Sequence, residues 1–170
     1  YNPLPISHHL EYTVKALRAG KHVLCEKSFA LNANEAEKMH AVAQETGLVL
    51  IEAFHYRYHP IFRRALEIVE SGTLGKLEHI DARFVVGTPN AENIRMHYET
   101  GGGATMDMGC YPISWVRHIT KEEPKVVSAT ATIGNPDVDL RLEVDYELED
   151  GLTAQTVGSM CDPGFSADME

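Results

Sequence analysis

Lys27 and Tyr111 are the side chains of this sequence best suited to move a proton during a redox reaction. A tyrosine phenol has an unperturbed pKa of about 10, and a nearby lysine ammonium is expected to lower the pKa of Tyr111 by favouring the phenolate. Such a pair could take the proton of an alcohol while a hydride leaves its carbon, and Lys27 could also act as the base directly. The alternative is that Tyr111 is an ordinary core residue on an apolar helix.

Asp107 lies four residues before Tyr111, a spacing that puts both side chains on one face of a helix. Its carboxylate could orient either a substrate hydroxyl or Lys27. The segment GGGATMDMGCY, 101 to 111, opens with three glycines, which permit backbone shapes closed to other residues. No Gly-Lys-Ser/Thr follows those glycines, so a phosphate-binding P-loop is not predicted.

Histidines and cysteines offer no recognisable metal pattern. His55 and His59 have the spacing of one helix face, but Pro60 indicates that the helix begins after them, and no H-E-x-x-H occurs. The three cysteines are far apart and form no C-x-x-C. We therefore expect no metal, no disulfide framework and a reducing, cytoplasmic location.

The composition is that of an ordinary folded protein with an acidic balance. The chain has 170 residues, 44% of them hydrophobic, and a formal net charge of −10. Nucleic-acid binding needs a basic face, and anionic membranes attract basic segments, so neither partner is expected; a small molecule is. The chain begins without an initiator methionine and stops inside GFSADME, so we expect a fragment of a longer protein.

The first third of the chain reads as alternating strands and helices. Ser7 is a candidate N-cap for a helix up to residue 19, a buried strand follows at 22–25, and Asn32 with Glu35 resembles a capping box for a second helix. A second apolar strand is predicted at 48–54. Parallel strands deliver their carboxyl ends to one edge, where ligands bind in α/β folds, so we expect a site there.

The remainder reads as a helix, a long loop, a glycine-rich helix and an antiparallel sheet. A helix is expected after Pro60, a strand at 77–86, an irregular loop at 87–100, and a helix up to residue 119 that is interrupted near Pro112. Period-two alternation predicts further strands, one of whose faces is solvated by alternate charged residues. Their predicted ranges are 126–133, 139–149 and 152–160, with a hairpin turn at Asp150-Gly151.

Taken together, these segments resemble the Gfo/Idh/MocA-type oxidoreductases, typified by glucose–fructose oxidoreductase and inositol dehydrogenase. The resemblance is carried by YNPLPISHHLEYTVKALRAGKHVLCEK, by CEKS at the family's Glu-Lys-Pro signature, by LIEAFHYRYHP and by GGGATMDMGCY. It covers residues 1 to about 160. A tyrosine at 111, where the family has His or Tyr, is similar to the glucose–fructose oxidoreductase, dimeric dihydrodiol dehydrogenase and xylose dehydrogenase branch.

The fold implied by the resemblance is α/β plus α+β. It consists of the C-terminal end of a Rossmann-type parallel sheet, followed by a mostly antiparallel open sheet covered by helices on one face. Residues 1–56 would be the C-terminal part of a dinucleotide-binding domain, and 57–170 a substrate-binding and oligomerisation domain that is incomplete at its C-terminus. Its open sheet implies a homodimer or homotetramer.

The implied activity is hydride transfer between NAD or NADP and a carbon of a sugar, polyol or cyclic diol. Lys27 matches the signature lysine beside the nicotinamide, Tyr111 the catalytic position and Asp107 the substrate-site aspartate. The alternative within the family is a regulator that binds dinucleotide or sugar without turnover.

Further residues match the family's binding positions. Those matched to the cofactor side are Pro5, His9 and Glu26, together with Lys27; those matched to the substrate wall are Arg57 and Tyr58, together with Asp107 and Tyr111. Two positions depart from the pattern, because Ser28 replaces the signature proline and Ile6 stands where Asn or Pro is common. The sequence has no G-x-G-x-x-G turn, which leaves the choice between NAD and NADP open.

Overall fold

The first part of the chain is a parallel strand–helix–strand unit. The computed structural model describes residues 1–134 and 137–170. In this part the elements are α1 (His9–Arg18), β1 (Val23–Cys25), α2 (Ala33–Thr46) and β2 (Leu50–Glu52). The two strands pair in parallel, and a parallel bridge from Asn2 to Cys25 adds a third segment on the other side of β1. The predicted parallel arrangement is confirmed.

Helix ends in this unit agree with the sequence at α2 and differ at α1. The Asn32 side chain accepts the Glu35 backbone N–H at 3.1 Å, and Gly47 closes α2 with a left-handed φ of 66°. Ser7 was expected to cap α1, and this prediction is wrong. It lies inside a short 3₁₀ turn, Ile6–His8, and its hydroxyl contacts the His8 ring at 3.1 Å.

The second part is a five-stranded sheet with helices on it. Its elements are α3 (Pro60–Glu70), β3 (His79–Val85), a π turn (Thr105–Gly109), α4 (Cys110–Thr120), β4 (Lys125–Ile133), β5 (Asp139–Glu147), β6 (Thr153–Ser159) and β7 (Ser166–Met169). The strand order is β4-β5-β6-β3-β7, with β3 and β6 parallel and the other neighbours antiparallel. The mostly antiparallel sheet is therefore confirmed, while β7 forms where the sequence was expected to end without completing an element.

Two local predictions in this part need correction. Pro112 does not interrupt α4, which runs on to Thr120; the irregularity is the π turn just before it. Asp139, expected on the solvated face of the sheet, instead accepts the backbone N–H of Thr105 at 2.7 Å and its hydroxyl at 2.6 Å. A carboxylate satisfies the free N–H groups at a helix start better than water does when the helix is packed on a sheet.

Each part has its own apolar core. In the first, Leu17 and Met39 of the helices are fully buried against β1. In the second, α4 packs Trp115 and Val116 onto the sheet, and Phe54 joins this cluster from the segment between the two parts. No helix among residues 1–134 and 137–170 is long and apolar enough to cross a membrane.

Candidate active site

Lys27 lies in the loop that follows β1, and its ammonium reaches the second part of the chain. Nζ donates to Oδ1 of Asp107 at 2.6 Å and to the Asp107 carbonyl oxygen at 2.8 Å. Only 14% of the Lys27 side chain and 11% of the Asp107 side chain are exposed. The fold thus brings together two predicted site residues that lie 80 positions apart, and Asp107 orients the lysine.

The Asp107 carbonyl lies where the π turn passes into α4. In the π turn, hydrogen bonds join residues five apart, as from the Cys110 N–H to the Thr105 carbonyl. The Asp107 carbonyl accepts from the Lys27 ammonium at 2.8 Å, and the Cys110 thiol lies 3.7 Å from the same oxygen. Pro112 lies in the first turn of α4, where a proline is tolerated, and the helix continues unbroken.

Arg95 was missed by the sequence reasoning, and it is the second cation on Asp107. Its Nε donates to Oδ2 of Asp107, and its Nη1 contacts the Asn93 side chain at 3.4 Å. Asp107 is thus held between two cations, which is what a carboxylate with little solvent contact requires. The 87–100 segment was expected to be an irregular loop, but it contains two 3₁₀ turns, Ile94–Met96 and Tyr98–Thr100.

The triple glycine holds this segment in place. The N–H of Gly103 donates to the Arg95 carbonyl at 2.9 Å, and that of Gly102 to the His97 carbonyl at 3.0 Å. A Cβ at Gly102 would lie 2.6 Å from the Arg95 carbonyl oxygen. The close approach of backbone to backbone is therefore the reason for glycine here. The sequence did show an arginine shortly before a run of glycines, but no spacing rule identifies such an arginine as a site residue.

Tyr111 has its ring in the core and its hydroxyl free. The ring packs on Phe54 and Phe84 with centroids 5.5 and 5.0 Å apart, and the Lys27 ammonium lies 5.4 Å from the ring centroid. In the described part of the chain the hydroxyl has no hydrogen-bond partner, yet every fully buried side-chain oxygen there has one. The Tyr111 hydroxyl oxygen therefore contacts solvent. The ring serves as a core residue, whereas the hydroxyl remains available for the predicted proton transfer.

The pKa of Tyr111 shifts opposite to the expectation. Burial, and next the nearby Cys110 thiol, raise the pKa of Tyr111 above its ordinary value, and Glu26 and Asp107 act in the same direction. The expected lowering by Lys27 does not occur, because Asp107 pairs with that ammonium and brings a negative charge of its own. At neutral pH the phenol keeps its proton.

A cleft of about 170 Å³ opens beside Lys27 and Asp107. One wall is apolar and is formed by Pro3 to Ile6 and by Ile94; the other residues that line it include Glu26, Arg95 and Gly101. Glu26 accepts the Tyr1 hydroxyl at 2.5 Å and the Lys27 N–H at 3.3 Å. Pro5, Glu26 and Lys27 thus share one cleft, as their family positions imply.

His9 is fully buried and does not line this cleft. Its Nε2 lies 2.8 Å from the Leu4 carbonyl, and its Nδ1 lies 3.0 Å from the Ser28 carbonyl and 3.2 Å from that of Phe29. The His9 ring has no exposed surface in this arrangement. His9 instead joins the loop before α1 to the loop after β1, and so supports the Lys27 backbone.

Arg57 and Tyr58 are not brought to the cleft. Both are exposed on the 3₁₀ turn His55–Tyr58 and neither lines the cleft that contains Lys27. The same turn does approach Tyr111, since the His55 ring lies 6.0 Å from the Tyr111 ring. The turn that carries Arg57 and Tyr58 therefore meets Tyr111 through His55, and neither Arg57 nor Tyr58 lies at the apolar wall.

Ser28 and Glu52 stabilise the loop after β1. The Ser28 hydroxyl donates to the Met106 carbonyl at 2.6 Å, and the Lys27–Ser28 peptide bond is cis. Glu52 accepts the Phe29 N–H at 2.9 Å, and burial raises the pKa of its carboxyl. Glu52 was recognised only as a polar strand end; its position next to the preceding strand is what gives it this role.

The described residues contain no group of three or more His, Cys, Asp or Glu side chains that could hold a metal ion. Their three cysteines are free thiols.

Comparison with known proteins identifies both parts of the chain. The family model for the NAD-binding Rossmann fold of the GFO/IDH/MocA oxidoreductases matches residues 3–54, and that for the GFO/IDH/MocA C-terminal domain matches residues 62–169. D-xylose 1-dehydrogenase (NADP(+)) 2 of Haloferax volcanii is 34% identical over 164 residues, which are 96% of this chain and 50% of that protein. A dTDP-3,4-didehydro-2,6-dideoxy-alpha-D-glucose 3-reductase of Actinomadura kijaniata is 41% identical over 66% of this chain and 34% of its own length.

A solved structure gives the same result. A 3-ketoreductase from Actinomadura kijaniata, in complex with NADP and TDP-benzene, superimposes with a TM-score of 0.93 at 32% identity, covering 99% of this chain and 52% of the other. The chain thus spans about half the length of the relatives it matches.

Proposed function

The chain belongs to the GFO/IDH/MocA oxidoreductase family, and from that premise we propose that it supplies the proton-handling half of an NAD(P)-dependent oxidoreductase. The reaction is hydride transfer between the nicotinamide and a carbon of a sugar, polyol or cyclic diol. The observation that carries the proposal is the Lys27 ammonium, which follows a parallel strand, is fixed on the Asp107 carboxylate and lies 5.4 Å from the centroid of the Tyr111 ring. In this proposal residues 1–56 complete the dinucleotide-binding domain and 57–170 hold the substrate.

The cleft fits one face of a nicotinamide. A flat, largely apolar ring suits the wall formed by Pro5, Ile6 and Ile94, and the amide and ribose groups suit Glu26 and the Lys27 ammonium. When bound there, the nicotinamide would accept or donate the hydride. We propose Pro5 and Glu26 as contacts and His9 as a support for their loops. NADP is favoured over NAD because a relative and a structural neighbour are named with NADP.

Lys27 and Tyr111 have separate tasks in this proposal. In the direction of carbonyl reduction, the Tyr111 phenol, which keeps its proton at neutral pH, donates that proton to the oxygen. The Lys27 ammonium stabilises negative charge as it develops on that oxygen. Asp107 holds the ammonium in position, and Arg95 holds Asp107. Oxidation is the reverse, with the alcohol proton passing to the Tyr111 phenolate.

The substrate is proposed to enter on the tyrosine side of the site. Arg57 and Tyr58 are exposed there and can donate hydrogen bonds to hydroxyl groups, while His55 borders the Tyr111 ring. A sugar is favoured over a diol because the two relatives described above are named for sugar substrates.

The test is Lys27→Met in the full-length polypeptide that contains this chain. We expect turnover to fall by roughly 10²–10⁴-fold, the range for loss of a proton-handling group, while dinucleotide binding measured by titration calorimetry persists. Lys38→Met is the matched control, because Lys38 is exposed on α2 and far from the cleft. Absorbance of the reduced nicotinamide reports turnover with xylose, glucose, inositol and trans-dihydrodiols.

Either of two results contradicts the proposal. Turnover that survives Lys27→Met rules out the assigned role of the lysine. No turnover of the unmodified protein with any of these substrates and either cofactor would favour a regulator that binds dinucleotide or sugar without reaction.

We also propose a homodimer or homotetramer formed through the open face of the large sheet. Every residue of β4 is exposed, including Val126, Val127 and Ile133. Sedimentation velocity of the full-length protein checks this assembly. Three free thiols agree with a reducing compartment such as the cytoplasm.

A further inference from the structure

Two consecutive side chains of the loop after β1 donate to two consecutive backbone carbonyls of the π turn. The Lys27 ammonium reaches the Asp107 carbonyl at 2.8 Å, and the Ser28 hydroxyl reaches the Met106 carbonyl at 2.6 Å. The first contact belongs to the proposed chemistry. The second is made by a residue that the family pattern would replace with proline, which has no hydroxyl.

Ser28 is buried and is contacted from both parts of the chain. Its carbonyl lies 3.0 Å from Nδ1 of His9, on the side of the first part. On the side of the second part, its hydroxyl donates to the Met106 carbonyl. Ser28 is therefore the point at which the Lys27 loop is attached to the helix that carries Asp107 and Tyr111.

The loop needs this attachment because regular structure ends before it. β1 stops at Cys25, and the Lys27 N–H is bonded only to the neighbouring Glu26 side chain in the described part of the chain. A lysine side chain rotates about the bonds of its four-carbon stem, so it loses much conformational freedom when its ammonium is held in place. If the backbone at Lys27 moved, the ammonium could follow with a different rotamer, and its two contacts with Asp107 would loosen.

We propose that Ser28 is a positioning residue whose hydroxyl, through the Met106 carbonyl, sets the Lys27 ammonium against Asp107 and Tyr111. The expected effect of Ser28 on turnover rests on the proposed function, whereas its effect on the position of the Lys27 ammonium does not. Three substitutions separate the hydroxyl from the backbone. Ser28→Ala removes the hydroxyl, Ser28→Thr keeps it, and Ser28→Pro restores the family residue without it.

The first measurement needs neither cofactor nor substrate. The full-length protein is treated with a trace of acetic anhydride, and the acetylation rate of each lysine is read by peptide mass spectrometry. We expect Lys27 to react about fivefold faster in Ser28→Ala and Ser28→Pro, the factor that corresponds to one ordinary hydrogen bond. Ser28→Thr should match the unmodified protein, and Asp107→Asn gives the upper limit. Lys38, exposed on α2, is the internal control.

The second measurement is the split of kcat and KM. Ser28→Ala should lower kcat about fivefold with KM little changed, and Ser28→Thr should restore kcat, because one positioning hydrogen bond is lost and regained. A faster Lys27 with unchanged kcat would leave the positioning intact and count against the proposed role of Lys27.

The proposal is overturned if Ser28→Ala leaves Lys27 as slow as in the unmodified protein while Asp107→Asn speeds it. A rise that Lys38 shares also overturns it, since the faster reaction would then not be specific to the Lys27 site. Failure of Lys27→Met to affect turnover would contradict the proposed function alone, because the acetylation result does not depend on turnover.

Discussion

Tyr56 and Tyr111 belong to one aromatic cluster, with ring centroids 6.2 Å apart, and they use their hydroxyls in opposite ways. The Tyr56 hydroxyl lies 2.6 Å from the Ser114 hydroxyl and 3.2 Å from Nδ1 of His118. The Tyr111 hydroxyl has no such partner among the described residues. Burial raises the pKa of both phenols. The same residue type thus serves structure where its hydroxyl is paired and remains open to a ligand where it is not.

The ion pairs near Tyr111 also differ from the ion pair at the C-terminal end of α4. Near Tyr111, Lys27 and Asp107 are largely withdrawn from water, and Arg95 pairs with the same carboxylate although 41% of its side chain is exposed. At the far end of α4, the ion pair of Arg117 with Glu123 is exposed. Burying charges costs free energy that pairing only partly offsets, whereas an exposed pair contributes little either way. A fold built for stability alone would have no need of the first arrangement, which is why we assign the chemistry to that end.

Asp107→Asn should have the largest effect on stability and turnover, because it removes the negative charge that pairs with Lys27 and Arg95 near Tyr111. It leaves Lys27 and Arg95 without their shared anion, so we expect a loss of about 3 kcal/mol of unfolding free energy. Turnover should fall by about 10²-fold or more, because the ammonium is no longer oriented. Denaturant unfolding and steady-state kinetics of the full-length protein measure the two losses.

Glu123→Gln is the matched control at the other end of α4. It removes one charge from an exposed pair and should change stability by less than about 1 kcal/mol. Equal destabilisation by the two substitutions would mean that the charges near Tyr111 are no more special than those on the surface.

Tyr111→Phe and Tyr56→Phe should have opposite consequences. Tyr111→Phe removes a hydroxyl that no described residue contacts, so the unfolding free energy should stay within about 0.5 kcal/mol while turnover falls about 10²-fold. Tyr56→Phe removes a buried, paired hydroxyl and should cost about 1 kcal/mol, with turnover retained. A large stability loss in Tyr111→Phe would show that its hydroxyl has a structural role after all.

The sequence predicts the fold and the candidate site only in part, and the features that it does not predict have a physical cause. Local patterns predict the parallel strands, the caps at Asn32 and Gly47, and the antiparallel sheet, because each depends on residues near in sequence. Lys27, Asp107 and Tyr111 could be assigned to one site through the family resemblance. The contact that joins Lys27 to Asp107 spans 80 residues and could not be derived from either segment alone.

Long-range packing decides the features that were missed or reversed. Arg95 reaches Asp107 because glycine 102 lets two backbone segments touch, which no pattern within 87–100 reveals. The pKa of Tyr111 rises because desolvation outweighs the nearby ammonium, a balance that requires the packed structure. His9 matches a cofactor position in sequence, and only the packed structure shows that its ring is fully buried.

The smallest expected effect is on the unfolding free energy at alkaline pH. There the two phenols should act alike because both are buried, although only the Tyr56 hydroxyl is hydrogen-bonded. A raised pKa in the folded state contributes stability below the unfolded value of about 10, and this contribution is lost as pH rises through the folded pKa. Each buried phenol then lowers the unfolding free energy by up to about 0.8 kcal/mol near pH 10.5. Tyr56→Phe should start less stable at neutral pH and approach the unmodified protein as pH rises. Tyr111→Phe should start equal to the unmodified protein and become more stable than it as pH rises, because the variant lacks one alkaline loss and has lost no hydrogen bond. Urea unfolding at a series of pH values tests this, and a stability difference from the unmodified protein that stays constant with pH in either variant would contradict the effect of burial on that phenol.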